Sequence, residues 1–202
     1  LIKPALNQTL TLSPKNTKPF SYTRFQNSEA PWFSQIKDSS VFKLRHVEDK
    51  YTDFNREKLL PYSHADRGPA VVVSDLNADG TSDIFMGGSK RIPPQILVQR
   101  NGKFESEIIP SLTLDSIQEN IIAVAADMDQ NGYSDLLVGN GGSDYFGDSR
   151  YLQNRLYLQS KDGFNAGTLP GSIANTSVLE PADIDGDGDL DLFVGNRTYT
   201  GA

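Results

Sequence analysis

From about residue 70 onward the chain is built of short apolar stretches, each closed by a turn signal. Ala70–Ser74 and Ile121–Ala126 are β-branched and apolar and read as strands. Ser177–Ala182 takes the same place a third time, less regularly because of Pro181. Each of these runs into a polar, acidic loop and then a second apolar stretch that ends at glycine: Ile84-Phe85-Met86-Gly87, Leu136-Leu137-Val138-Gly139 and Leu192-Phe193-Val194-Gly195. Gln95–Arg100 and Asn154–Gln159 alternate apolar and polar residues and predict a third strand. Asn101-Gly102 and Asp162-Gly163 are tight-turn signals, after which Phe104 or Phe164 opens a fourth strand.

The unit is strand, acidic loop, strand, longer loop, strand, tight turn, strand. The loops start 52 and 56 residues apart, at Asp75, Asp127 and Asp183. Four antiparallel strands in about 50 residues make a propeller blade. The expected fold is therefore all-β. One blade spans 65–115 with its loop at 75–83, a second spans 116–172 with its loop at 127–135, and a truncated one spans 173–202 with its loop at 183–191. About two and a half blades fall short of the four or more that close a propeller. An open fragment of this kind leaves self-association available. With neither an initiator Met nor a signal-peptide pattern at Leu1, the chain is read as a piece of something longer.

Residues 1–64 differ. Residues 1–13 read as the tail of a preceding module, with a strand at Asn7–Leu12. Residues 14–64 read as a linker and an aromatic-rich segment leading into the repeats. Nine of the chain's nineteen aromatic residues lie before residue 65 and are expected to be core. Phe42–Val47 is expected to form a strand that completes a blade.

Composition narrows the chemistry. Without cysteine there is no disulfide scaffold, thiolate metal site or thiol nucleophile. A net charge of −7 argues against a nucleic-acid partner or an anionic membrane surface, and no apolar run approaches the ~18 residues of a membrane span.

The acidic loops absorb much of that charge. Oxygen side chains at positions 1, 3, 5 and 9, with glycine at 6 for the sharp turn, suit a hard cation. Ca²⁺ takes 6–8 oxygens in irregular cages, whereas Mg²⁺ demands a tight octahedron, and zinc or copper would want nitrogen or sulfur. The expected ligands are Asp75, Asn77, Asp79 and Asp83 with the Thr81 carbonyl; Asp127, Asp129, Asn131 and Asp135 with the Tyr133 carbonyl; and Asp183, Asp185, Asp187 and Asp191 with the Asp189 carbonyl. Up to three Ca²⁺ ions are expected, the third site tightest because it has four carboxylates. An EF-hand is excluded. Its position-12 glutamate would fall at Met86, Val138 and Val194, and strands replace its helices. Ten of the 26 acidic residues sit at these positions, leaving 16 against 19 Lys+Arg elsewhere. The acidity is thus local, and an acidic glycan is compatible with the calcium-loaded chain.

The pattern D-x-[DN]-x-[DN]-G-x-x-D, followed by apolar residues and Gly-Gly or Gly-Asn, resembles the FG-GAP/VCBS repeat, which builds the integrin α-subunit propeller and many bacterial surface proteins. A narrower resemblance is to large bacterial proteins of the ASPIC/UnbV type. It rests on His46–Asn55, Leu59-Leu60-Pro61 and Gly68-Pro69-Ala70, with Asn7–Leu12 similar to the tail of that module. These resemblances imply an exported, extracytoplasmic bacterial protein.

No nucleophile elbow, phosphate loop or dinucleotide fingerprint is present. His46 with Glu48 imitates a metal pair but reads better as a strand histidine beside a surface carboxylate. Gly141–Asp148, with Tyr145 and Phe146, is a glycine-rich loop with some suitability for sugar stacking. The expected function is a non-enzymatic, calcium-binding module that adheres to or scaffolds a protein or carbohydrate ligand. The alternative is a non-catalytic fragment of a propeller polysaccharide lyase or glycoside hydrolase.

Overall fold

The computed structural model describes residues 33, 35–37, 41, 44–56, 58, 59, 61, 63, 65, 67–171 and 173–197. The chain divides into units 1–37 and 38–202, and the strands among the described residues all belong to the second. The expected strand at Asn7–Leu12, His64 and most of the early aromatics lie outside the described residues.

The strands fall where the apolar pattern puts them. β1 (Val71–Ser74), β2 (Asp83–Met86), β3 (Gln95–Arg100) and β4 (Lys103–Glu107) form one antiparallel meander in the order 1-2-3-4. β5 (Asn120–Ala126), β6 (Asp135–Asn140), β7 (Arg155–Ser160) and β8 (Gly163–Thr168) repeat it. β9 (Thr176–Ala182) and β10 (Asp191–Asn196) form a two-stranded third sheet. Pro181 does not interrupt β9; it sits opposite Leu192 within the pairing. A short helix, α1 (Pro110–Thr113), links the first two sheets, with proline at its first position where no N–H is needed.

The first strands of successive sheets, β1, β5 and β9, neighbour one another, so the sheets fan out like blades about a common edge. Packing follows the two-residue strand period. Leu136 and Val138 of β6 join Val72, Phe85, Ile96 and Val98 in a core between the first two sheets. Leu137, pointing the other way, joins Leu179, Leu192 and Val194 in a core between the second and third. This is why β6 is buried along its whole length. By the same rule Phe193 points away from the second sheet, and it is 58% exposed.

The glycines closing the second strands have a packing role. A Cβ on Gly87 would stand 2.7 Å from Asn120 Cβ, and one on Gly139 would stand 2.5 Å from Ile122 Cγ2. Both positions let the next sheet's first strand, or the strand beside them, approach closely. A buried polar seam continues from there. Gly88 N donates to Asn120 Oδ1 (2.8 Å), Asn120 Nδ2 to Asn140 Oδ1 (2.8 Å), Asn140 N to Asn154 Oδ1 (3.0 Å) and Thr176 Oγ1 to the same Asn154 oxygen (2.9 Å).

One expected strand is absent. Leu44–Val47 are irregular, and Phe42 and Lys43 lie outside the described residues. The segment makes single contacts in place of a ladder: Phe104 N donates to Val41 O (3.2 Å) and Ser89 Oγ to Val47 O (2.7 Å). His46 is therefore no strand histidine; its Nε2 hydrogen-bonds Glu48 Oε1.

Beside it, Asp49 faces Asp144, whose Oδ2 is 2.7 Å from Lys90 Nζ. Burial, then the hydrogen bond to Asp144 and its charge, raise the Asp49 carboxyl to about 6. The folded state thus holds a proton that the unfolded chain releases near 3.8. The stability this gives is complete below about pH 4 and is lost as pH rises through about 6. Asp49→Asn, which keeps the neutral hydrogen-bonding form, is expected to melt above the parent chain at neutral pH and level with it in acid. A melting difference that does not change with pH would contradict this.

Candidate metal loops

Each acidic loop joins the first and second strands of its sheet, and each is folded by its own carboxylates. The Asp at position 1 gathers two backbone N–H groups. Asp75 accepts from Asp79 N (3.2 Å) and Gly80 N (2.9 Å), Asp127 from Asn131 N (3.0 Å) and Gly132 N (2.8 Å), and Asp183 from Gly186 N (2.8 Å) and Gly188 N (3.2 Å). Such side-chain-to-backbone bonds are why Asp and Asn dominate tight turns. Position 6 is left-handed in all three, with φ of +86° at Gly80, +87° at Gly132 and +96° at Gly188. Position 4 is left-handed as well: Ala78 and Gln130 have φ of 60° and 59°, and the third loop places Gly186 there.

The Asp at position 9 spans two elements. Asp135 is fully buried; its Oδ2 accepts from Met128 N in the loop (2.8 Å) and its Oδ1 from Gln159 N on β7 (2.7 Å). Asp83 does the same, accepting from Leu76 N (3.1 Å) and Gln99 N on β3 (2.9 Å). Asp191 accepts from Ile184 N (3.0 Å), and among the described residues the third sheet has two strands, with no third to offer the other N–H. Burial pushes the Asp83 and Asp135 carboxyls above the ordinary range, against the lowering effect of their backbone donors.

The loops differ in what they bring together. Oxygens of Asp127, Asp129 and Asp135 all lie within 4.8 Å of one another, and so do those of Asp183, Asp185 and Asp187. Two oxygens bound to one Ca²⁺ at 2.3–2.6 Å can stand at most roughly 5 Å apart, so both groups fit such an ion as oxygen-only donor sets. Among the described residues Asp75, Asp79 and Asp83 form no such group. Asp79 is turned onto Thr81, accepting from its N (2.9 Å) and its Oγ1 (2.5 Å), and Asn77 Nδ2 donates to it (3.0 Å). Those donors hold the Asp79 carboxyl below its usual range, the Thr81 hydroxyl most of all. In the second loop Asn131 is occupied too, donating to Gln159 O (2.8 Å) and accepting from Tyr133 N (2.8 Å). In the third, Asp191 stands outside the trio. The Asp189 carboxyl is raised by its neighbour Asp187, which is itself lowered by the Asp189 backbone N–H.

The FG-GAP-like repeat model matches residues 75–138 and again 127–194. Each match runs from the first Asp of one loop into the strand that follows the next. The chain belongs to the FG-GAP-like repeat family. Its antiparallel sheets are accordingly propeller-like blades, and all three acidic loops lie within the matched residues. The match begins at Asp75 and so does not reach residues 46–70, which carry the narrower ASPIC/UnbV resemblance. No curated protein matches the chain. Among the described residues no helix is long and apolar enough to cross a membrane.

The glycine-rich loop after β6 is not the open segment its composition suggests. Gly141, Gly142 and Ser143 are buried, and a Cβ on Gly142 would stand 1.7 Å from Glu119 Oε2. Tyr145 is 8% exposed, and its hydroxyl donates to Ile117 O (2.5 Å). Phe146 is exposed, with the Arg56 guanidinium 3.7 Å from its ring centroid. Glycine here serves close approach, which composition alone does not separate from flexibility.

Proposed function

We propose that the chain is a calcium-binding FG-GAP-like module, part of a propeller of which it supplies about two and a half blades, in an extracytoplasmic protein of the ASPIC/UnbV kind. It works as a rigid, non-catalytic platform for a protein or glycan ligand. The observation that carries the reading is the pair of carboxylate trios held within 4.8 Å on loops of one common backbone design. Three anionic groups at that separation repel, and a divalent cation among them removes the repulsion while leaving each loop's backbone bonds intact. In the second loop Asp127, Asp129 and Asp135 would hold the ion, and in the third Asp183, Asp185 and Asp187. The first loop would bind after Asp79 turns from Thr81 toward Asp75 and Asp83.

Sites of the extracellular class need only ~10⁻⁴–10⁻³ M affinity. Calorimetric titration of chelator-stripped protein with CaCl₂ is expected to give heat with more than one ion per chain, and weaker heat with MgCl₂. No heat with CaCl₂ would defeat the proposal.

A further inference from the structure

The second blade carries a pocket at the end of its sheet opposite the acidic loop. Arg155 opens β7 and Thr168 closes β8 at this end, whereas the loop's Asp135 meets β7 at Gln159. The walls come from the segment after α1 (Leu114, Asp115, Ile117, Gln118), from the turn before β7 (Arg150, Tyr151, Gln153), and from Arg155, Thr168 and Ile173. The volume is about 350 Å³, within the range of small-molecule sites.

The walls are fixed before any ligand arrives. The Arg155 guanidinium grips Asp115 with two bonds, one from Nε to Oδ2 at 2.9 Å and one from Nη2 to Oδ1, and Tyr157 Oη donates to Asp115 at 2.7 Å. Gln118 N donates to Asp115 O (3.0 Å), and Tyr145 Oη holds Ile117 O. Gln153 is pinned by its Nε2 bond to Leu169 O (2.6 Å).

Three features then remain for a ligand. First, Asp115 is neutralised by Arg155, so Arg150 is the cation left over on these walls; it is exposed, and among the described residues its guanidinium hydrogen-bonds only Tyr151 Oη, at 3.2 Å. Second, the side-chain carbonyl of Gln118, a residue 5% exposed, has no hydrogen-bond partner among the described residues. Gln118 is one of the residues that line the pocket. A buried acceptor in this state favours a ligand that donates a hydrogen bond. Third, apolar surface frames the mouth: Leu114 is 84% and Ile117 41% exposed, beside the Tyr151 ring.

We infer that this pocket binds the uronate residue of an acidic glycan. A uronate combines the three complements in one ring. Its carboxylate pairs with the Arg150 guanidinium, whose fork matches it. A hydroxyl donates to Gln118, and the C–H face packs on Tyr151 and the apolar rim. The surroundings extend the match along a chain. Two cation–ring contacts stand at or near this mouth, with Arg150 5.0 Å from the Tyr151 ring and Arg56 3.7 Å from the exposed Phe146 ring. An acidic peptide also carries carboxylates, but it lacks a rigid ring that presents a hydroxyl to Gln118 and a C–H face to Tyr151 together.

The inference rests on the reading of the module as a ligand platform and not on the acidic loops, whose CaCl₂ titration is a separate measurement. The test is titration of the chain with trigalacturonate, with its methyl ester and with a short poly-aspartate peptide, in CaCl₂ and again in EDTA. Trigalacturonate is expected to bind in both, the ester at least about tenfold more weakly, as loss of a charge-assisted pair implies, and the peptide more weakly than trigalacturonate, since it has no ring for Tyr151. Arg150→Met is expected to cost about tenfold with melting unchanged, and Arg150→Lys less, since lysine keeps charge but not the fork. Arg150 is exposed, so its substitution is expected to leave folding unchanged, and Arg100→Met on the first blade serves as a charge-matched control. Equal binding of acid and ester, tighter binding of the peptide, no effect of Arg150→Met, or binding only in CaCl₂ would each overturn the inference.

Discussion

Asp135→Ala is expected to destabilise the module by about 3 kcal/mol in the presence of chelator, with no metal involved. The carboxylate is fully buried, and each oxygen accepts one backbone N–H, from Met128 in the loop and from Gln159 on β7. Alanine leaves both donors without a partner, and an orphaned buried donor costs about 1–3 kcal/mol. Relief of the buried charge, visible in the raised Asp135 carboxyl, offsets part of this. Asp135→Asn keeps one acceptor but points an amide N–H at the second donor, so it should recover less than half of the loss. Asp129→Ala is the contrast. Asp129 is exposed and accepts only from Asn131 N at 3.2 Å among the described residues. In chelator it should change stability by less than about 0.5 kcal/mol, as surface substitutions do. Urea unfolding of the three variants in EDTA measures this directly. An Asp135→Ala variant as stable as Asp129→Ala would show that the position-9 aspartate is no clamp.

That double duty explains what was legible in the sequence and what was not. Apolar runs, period-two alternation and turn signals point to the strands of the three sheets, because the inner strands bury side chains against the neighbouring sheet. β6 reads as a solid apolar run for a reason the pattern contains only implicitly: Leu136 and Val138 serve one core and Leu137 the other. The acidic positions were equally plain, but their division of labour was not. Residue type cannot tell a carboxylate that gathers backbone donors, as Asp83 does, from one free to meet an ion, as Asp129 is. Nor could it show that Thr81 would draw Asp79 aside, since a hydroxyl two residues away competes only in the folded loop. Gly87 and Gly139 were visible as punctuation, while their reason lies 33 residues downstream for Gly87 and 17 upstream for Gly139, at Asn120 and Ile122. The uronate pocket had no sequence signal: its walls come from three segments that only the fold of the second blade brings together.

Chelation is expected to lower the melting temperature by on the order of 10 °C. An ion that binds only the folded loops stabilises by RT ln(1 + [Ca²⁺]/Kd), about 1.4 kcal/mol at a tenfold excess over Kd and about 2.7 at a hundredfold. The two gathered trios together thus contribute about 3–5 kcal/mol, and each kcal/mol is worth roughly 2–4 °C in a chain of this size. The effect should divide by loop. Asp129→Ala removes a ligand from the second trio and Asp185→Ala one from the third, so each should forfeit about half of the calcium-dependent rise while melting with the parent in EDTA. Asp79→Ala should forfeit the least, because Asp79 belongs to neither trio. Asp135→Ala should lose stability in both conditions, as clamp and as ligand. Scanning calorimetry with CaCl₂, with MgCl₂ and with EDTA separates these outcomes. Equal melting of the parent chain in CaCl₂ and EDTA would mean that the loops are held by their backbone bonds alone, and the excess of 20 Asp+Glu over 9 Lys+Arg in residues 65–202 would then stand unneutralised on the blades.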